Sequence, residues 1–215
     1  QANTRLDLIE KGLNIYLETK RGTFPRFYFL SNDELLEILS QAKVPQAVQP
    51  FLGKCFEGIN AVHFEESPKK KDSDLQITQM ISSEEETVNL IEPLYPGRGD
   101  NRGNVELWLL GLETMMAKTI WNITGDSMKE FAFVPTFDQE INSKKKMVDR
   151  TEFAIQWPAQ VVLCVTQVYW TRDVTRAIAG GTKILSQYLD YQKANIDKLV
   201  DKVRGKLSKL ERKTL

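Results

Sequence analysis

Residues 24–39, FPRFYFLSNDELLEIL, leave the backbone few choices. Pro25 lacks an N–H and clashes inside a helix, so it disfavours one here. Phe24, Phe27, Tyr28 and Phe29 crowd this stretch with aromatic rings, which fit a pleated, half-buried surface. The run therefore reads as a short strand. At Ser31 the character changes. Ser31 is a good N-cap, and Glu34 three residues on completes a capping box. Leu30 and Leu35 stand at the N′ and N4 positions of a hydrophobic staple. The expected local structure is an aromatic strand feeding a capped, buried helix.

On the N-terminal side, Leu6, Ile9, Leu13, Tyr16 and Leu17 recur at helical spacing and stop near Arg21-Gly22, which predicts an amphipathic helix. On the C-terminal side, Pro45 and Pro50 punctuate a short helical segment. Pro50 suits a first helical turn whose Phe51, Leu52, Cys55 and Phe56 face inward before Gly58. Residues 59–66 alternate imperfectly, with Val62 and Phe64 on one face. Residues 67–74, SPKKKDSD, read as a loop. Leu75, Ile77, Met80 and Ile81 predict a second strand, and Val88, Leu90 and Glu92 a third, joined by SSEEET at 82–87. The turn-rich PLYPGRGDNRG at 93–103 is the internal boundary candidate. It separates residues 1–92 from residues 104–215 as two parts of one domain.

Asn104 is placed to cap a helix whose apolar face runs through Val105, Trp108, Leu109, Leu112, Met116, Ile120 and Ile123. Residues 125–136 read as irregular, with Phe131, Phe133 and then Phe137 as their aromatics. A long helix is expected to start near Arg150 or at Trp157-Pro158, with Pro158 in a first turn or at a kink. Residues 161–170 are apolar on nearly every side, which predicts a central core helix with Trp170 buried. Gly180-Gly181 ends it. Leu185, Leu189, Gln192, Ile196, Leu199, Val203 and Leu210 then make a coiled-coil-like seam. Gln192 and Lys206 occupy seam positions, so the helix reads as one member of an antiparallel bundle.

The 215 residues carry 29 Lys+Arg against 29 Asp+Glu, a balance unlike the basic excess of a nucleic-acid binder. Cys55 and Cys164 sit in apolar helical patterns and read as reduced core thiols, too few for a four-cysteine zinc site. No apolar run reaches the roughly 18 residues of a membrane span. The opening QANTRLD and the basic C-terminal helix both read as cuts through a longer chain. Gly97 to Gly103 lacks the GK[ST] ending of a phosphate loop, and Gly180-Gly181-Thr182-Lys183 lacks its upstream glycine and strand. His63 is the single histidine. Nothing local supports a Cys55–His63 dyad, which Cys chemistry would need. The residues by themselves describe a mostly helical interaction module with no recognisable active site.

FPRFYFLSNDELLEIL, followed by VQPFLGKCFEGI at 48–59, closely resembles the linker region of dynein heavy chains. LDLIEKGLNIYLETKR at 6–21, GNVELWLLGLETMM at 103–116, WPAQVVLCVTQVYWT at 157–171 and VRGKLSKLERKTL at 203–215 resemble the same region in the same order. ITQMISSEEETV at 77–88 resembles that family's hairpin, where many members have a Gly in the turn and this chain has none. GNVE and VRGKLSKL look more like axonemal than cytoplasmic members. The resemblance implies a mostly α, elongated helical-bundle linker with a small antiparallel β hairpin or meander.

It further implies a non-catalytic lever upstream of the first AAA+ module, coupling ATP-driven changes in the ring to movement of the tail. ATP and Mg would belong to the parent motor, with no catalytic, cofactor or metal residues in this segment. The implied partners are the AAA+ ring of the same heavy chain, the microtubule through the parent motor, and dynein light and intermediate chains through the parent complex. Nucleic acid and membrane are not among them, and the implied location is cytoskeletal, in the axoneme of a cilium or flagellum. The resemblance singles out Phe24, Pro25, Arg26, Phe27, Phe29, Ser31, Glu34, Leu35, Trp157, Pro158 and Trp170 as its structural motif. A stand-alone helical scaffold or adaptor is the alternative.

Overall fold

A computed structural model describes residues 2–66, 75–131 and 149–214. The fold is mostly α, with eight α-helices and one small antiparallel sheet among the described residues. It divides into two compact units, residues 1–119 and 120–215.

In the first unit, α1 (Ala2–Thr23) forms where the periodicity predicts. Leu17 and Arg21 are its buried residues, whereas Leu6, Ile9, Leu13 and Tyr16 lie exposed. The aromatic run is not a strand. Pro25–Phe29 is a 3-10 helix, closed by Phe27 N–H donating to the Phe24 carbonyl at 3.0 Å and Leu30 N–H to the Phe27 carbonyl at 3.1 Å. Three residues per turn align positions i and i+3. Phe24, Phe27 and Leu30 accordingly point into the core, and Tyr28 and Phe29 point out. Alternation would have placed Phe27 and Phe29 together. Burying Phe24, Phe27 and Leu30 as one row decides the outcome.

α2 (Asn32–Ser40) follows, then a 3-10 turn at Pro45–Val48 and α3 (Gln49–Cys55) with Pro50 in its first turn. Phe51, Leu52, Cys55 and Phe56 are buried as expected. The Gln49 amide ties α3 to β1, accepting from Val62 N–H at 3.0 Å and donating to the Val62 carbonyl at 2.6 Å. Strands β1 (Ala61–Glu66), β2 (Leu75–Ile81) and β3 (Thr87–Leu94) lie in the order β1-β2-β3, all antiparallel. The predicted loop at 67–74 lies outside the described residues. Pro93 falls inside β3, beyond the expected strand end, which is tolerated because β3 is an edge strand. The turn between β2 and β3 is built by Ser82. Its Oγ accepts from Glu84 and Glu86 N–H at 3.2 and 3.1 Å, and Glu85 takes a left-handed φ of 71°.

α4 (Val105–Phe131) buries Val105, Trp108, Leu109 and Leu112 against this first unit. Asn104 does not cap it through its side chain. Its amide donates to the Asp100 carbonyl at 2.8 Å, while its backbone carbonyl accepts from Leu107 and Trp108. The helix also runs on through Gly125 to Phe131, where the sequence reads as irregular. Burial of Phe131 against Phe153 and Tyr169 offsets the roughly 1 kcal/mol that a helical glycine costs. Phe133 and Phe137 lie outside the described residues.

The second unit contains α5 (Arg150–Gln156), α6 (Ala159–Ala179), α7 (Thr182–Arg204) and α8 (Lys209–Thr214). Both expected starts are used. Asp149 caps α5, and the chain breaks at Trp157-Pro158 before α6, with Pro158 as its N-cap residue. Phe131, Phe153, Val161 and Val165 form the core, with Ile120, Ile123, Met128, Trp157 and Tyr169 packed around it. α6 is not central. It buries Val161, Val165, Asp173 and Ala177, and leaves Leu163, Val168, Trp170 and Ile178 exposed. The seam expected on α7 is displaced as well. Tyr188 and Asn195 are buried, each one residue before Leu189 and Ile196, which are exposed together with Leu185. The apolar arc of each helix is wider than the surface that its neighbours cover.

Candidate functional site

The junction around Phe24–Leu35 gathers most of the residues that sequence singles out. Pro25 opens the 3-10 turn with its φ already set and no N–H to satisfy. Behind it Phe24 and Phe27 are fully buried and meet edge to face, with centroids 5.0 Å apart at 83°. Phe56 approaches Phe24 at 6.0 Å. Such ring pairs contribute about 0.5–1.5 kcal/mol beyond their buried area. The turn ends where Ser31 begins the capping box. Ser31 Oγ accepts from Glu34 N–H at 3.3 Å, and the Glu34 carboxylate accepts from Ser31 N–H at 2.9 Å. Leu30 and Leu35, the staple positions, are both buried. Lys54 from α3 pairs with Glu34, and this contact with the Ser31 N–H holds the Glu34 carboxyl below its ordinary range.

Two arginines bind the junction in different ways. Arg26 reaches Glu113 on α4 through Nε and Nη2, at 3.1 and 3.0 Å, and the Cys55 carbonyl through Nη1 at 3.2 Å. Its guanidinium stands 5.1 Å from the Phe56 ring centre. The Arg26–Glu113 pair is more than a third exposed on both sides, so its ionic part is worth no more than about 1 kcal/mol. Arg21 is buried. It donates to the Leu30 carbonyl at 3.1 Å and the Phe27 carbonyl at 3.5 Å, and pairs with Glu18 at 3.3 Å. It thereby supplies donors to the backbone that the 3-10 turn turns inward. Lys20 completes the cluster by pairing with the buried Glu106 of α4.

Phe29, by contrast, is exposed, and Trp157, Pro158 and Trp170 belong to the other unit. Trp157 packs on the second core with its ring centre 6.4 Å from that of Phe153. Trp170 is 51% exposed, against the expected burial, because it lies on the uncovered face of α6. Arg21, Lys20, Glu106 and Glu113 escape sequence reasoning. The available signal was Arg21 itself, one turn after Leu17 on the same helix face.

Chemically the junction binds chain to chain. Cys55 is buried, and burial pushes its thiol up to about 11, where little of the reactive thiolate forms. It shares no hydrogen bond with the exposed His63, whose Nε2 lies 3.5 Å from Glu65. Cys164 is exposed on α6 rather than buried, for the reason given for Trp170. Among the described residues no three His, Cys, Asp or Glu side chains form a metal-binding group, and no helix is long and apolar enough to cross a membrane.

Residues 1–127 match the family described as dynein heavy chain, N-terminal region 2. The whole chain is 44% identical over 215 residues to dynein axonemal heavy chain 3 of Homo sapiens, covering 5% of that protein. It is 44% identical over 213 residues to dynein axonemal heavy chain 1 of Mus musculus, covering 4% of it. Dynein axonemal heavy chain 12 of Rattus norvegicus is 42% identical over 213 residues, with 6% of that protein covered. In each case 99–100% of this chain is aligned, and the chain spans about a twentieth of the relative.

Proposed function

The chain belongs to the dynein heavy chain family, and from that premise we propose that it is a non-catalytic mechanical linker segment of an axonemal motor. In this reading it couples ATP-driven changes in the AAA+ ring of its own heavy chain to movement of the tail. The motor works on microtubules of a cilium or flagellum, and its light and intermediate chains bind elsewhere in the complex. ATP and Mg are used by the parent protein, outside this segment.

One observation carries the reading: the junction unites α1, the 3-10 turn, α2, α3 and α4 through buried aromatics and charged side chains. A lever has to transmit force without local yielding. Packed aromatics resist such yielding because protein interiors are dense and incompressible. A lever also moves only if it interacts differently with the ring in two states.

The test uses the full motor with Ser31→Ala and Leu35→Ala combined. Losing the cap costs about 1 kcal/mol, and truncating the buried leucine costs about 2–5 kcal/mol. Microtubule gliding is expected to slow strongly while basal ATP turnover falls less. Normal gliding velocity in a linker shown to be loosened but folded rejects the lever. An equal fall in both rates assigns the segment to assembly of the first nucleotide site instead.

A further inference from the structure

A cavity of about 580 Å³ opens in the first unit, away from the Phe24–Leu35 junction. Its lining comes from three stretches of chain: Ala42, Lys43 and Pro45, then Leu75, then Pro96, Gly97, Arg102 and Gly103. Its two cations are exposed and, like Arg5 and Lys11 on α1, lack an ion pair, whereas most others of this unit are engaged. Lys20, Arg26, Lys54 and Lys118 each pair with a glutamate, and Arg98 stacks on Tyr95 with its guanidinium 3.8 Å from the ring centre. Among the described residues, Lys43 and Arg102 make neither an ion pair nor a side-chain hydrogen bond. Asp100, only two residues from Arg102, makes no ion pair with it. Two positive side chains without an ion pair among the described residues therefore line one concave site, in a chain whose formal net charge is zero.

We propose that this cavity is a docking socket for an acidic peptide segment of a protein partner, with a carboxylate between Lys43 and Arg102. The size favours a peptide over a free ion, since pockets of about 300–1,000 Å³ enclose ligands of many atoms. The walls fit the same occupant. Ala42, Pro45, Leu75 and Pro96 offer apolar surface to the stem of a Glu or Asp side chain. Lys43 and Arg102 are the charged groups of the lining and supply its attraction for a carboxylate. Gly103, at a left-handed φ of 74°, turns the chain between Arg102 in the cavity wall and the start of α4 at Val105. Opposite charge at such a site favours encounter and register, and weakens with salt.

The test titrates the 215-residue chain with an acetylated tetraglutamate amide at low salt, following the backbone amide resonances of Gly97 and Gly103. Saturable shifts at both glycines are expected. Lys43→Gln with Arg102→Gln is expected to weaken binding about tenfold, each exposed charge contact contributing a few-fold. Lys209→Gln with Lys213→Gln removes the same charge from α8 and is expected to change it by less than about twofold.

Unmoved glycine resonances overturn the proposal. So does an equal loss in both double variants, which would mean diffuse attraction. Inorganic phosphate binding as tightly as the peptide would make this a site for a small free anion and reject the peptide. Asp72 and Asp74 precede Leu75 in sequence. If Asp72→Asn with Asp74→Asn tightens binding about tenfold, the cations are satisfied from within the chain and the proposal falls. None of these results bears on gliding or ATP turnover, so the socket and the lever can fail separately.

Discussion

Phe27 and Trp170 are both large aromatics in strongly apolar stretches, yet one is fully buried and the other is 51% exposed. The difference lies in how many elements close over each. Around Phe27 the chain folds back repeatedly, bringing α1, α3 and α4 onto a turn of five residues. Around Trp170 two long helices pair and leave their outer faces open. Local hydrophobicity marks a residue that can be buried. Convergence of elements determines whether it is.

The sharpest test of this contrast is truncation. Phe27→Ala is expected to cost about 3–5 kcal/mol in urea melts, the range for a large core aromatic. Trp170→Ala is expected to change stability by no more than about 0.5 kcal/mol, as at other surface positions. Comparable losses would show that the outer face of α6 is covered and would erase the distinction.

A second test separates burial from charge within the junction itself. Arg21→Met keeps the apolar stem but removes the donor to the Leu30 carbonyl and leaves the Phe27 carbonyl only the Leu30 N–H, and is expected to cost about 1–3 kcal/mol. Arg26→Met breaks a half-exposed pair and is expected to cost about 1 kcal/mol or less. The reverse order would place the structural weight on the link to α4.

Helix caps should not distinguish the two regions, because capping is local. Ser31→Ala in one and Asp149→Ala in the other are each expected to cost about 1 kcal/mol. Acid should weaken both caps. The Glu34 carboxyl is lowered by Lys54 and the Ser31 N–H, and that of Asp149 by the Thr151 hydroxyl and then by backbone N–H groups. A depressed carboxyl stabilises the fold fully above its ordinary value, here 4.5 and 3.8, and the contribution is lost as pH falls through the lowered one. Carboxyl NMR titrations with midpoints at or above the ordinary values would contradict this.

The smallest expected effect has the opposite sign. Glu85 holds a left-handed conformation that glycine adopts without strain, so Glu85→Gly is expected to stabilise the hairpin by about 0.5–1 kcal/mol. A higher thermal midpoint checks it.

The features legible in the sequence were those decided within a few residues. The capping box, the staple leucines, Pro50 in its first turn and the three strands all follow from local chemistry. The aromatic run reads as a strand because five residues are too few to tell a period of two from a period of three. Its hydrogen bonds, and the arginine that satisfies its carbonyls, come from elsewhere. Leu189 and Ile196 fall outside the covered stripe for a related reason. Any stripe within a wide apolar arc has acceptable spacing, and only the neighbours choose which one is covered. Of the singled-out residues, the group from Phe24 to Leu35 forms one junction, with Phe29 at its surface, while Trp170 faces outward.

The two cysteines carry a consequence for watching this molecule move. At pH 8 a thiol with a pKa of about 11 is ionised in roughly one molecule in a thousand, and Cys55 is also shielded from reagents. Cys164 stands in solvent and reacts first. Once it has been alkylated, the remaining slow modification at Cys55 becomes a stopwatch for transient opening of the first unit. Under applied strain, a faster Cys55 reaction would report that the region beneath the aromatic turn is yielding.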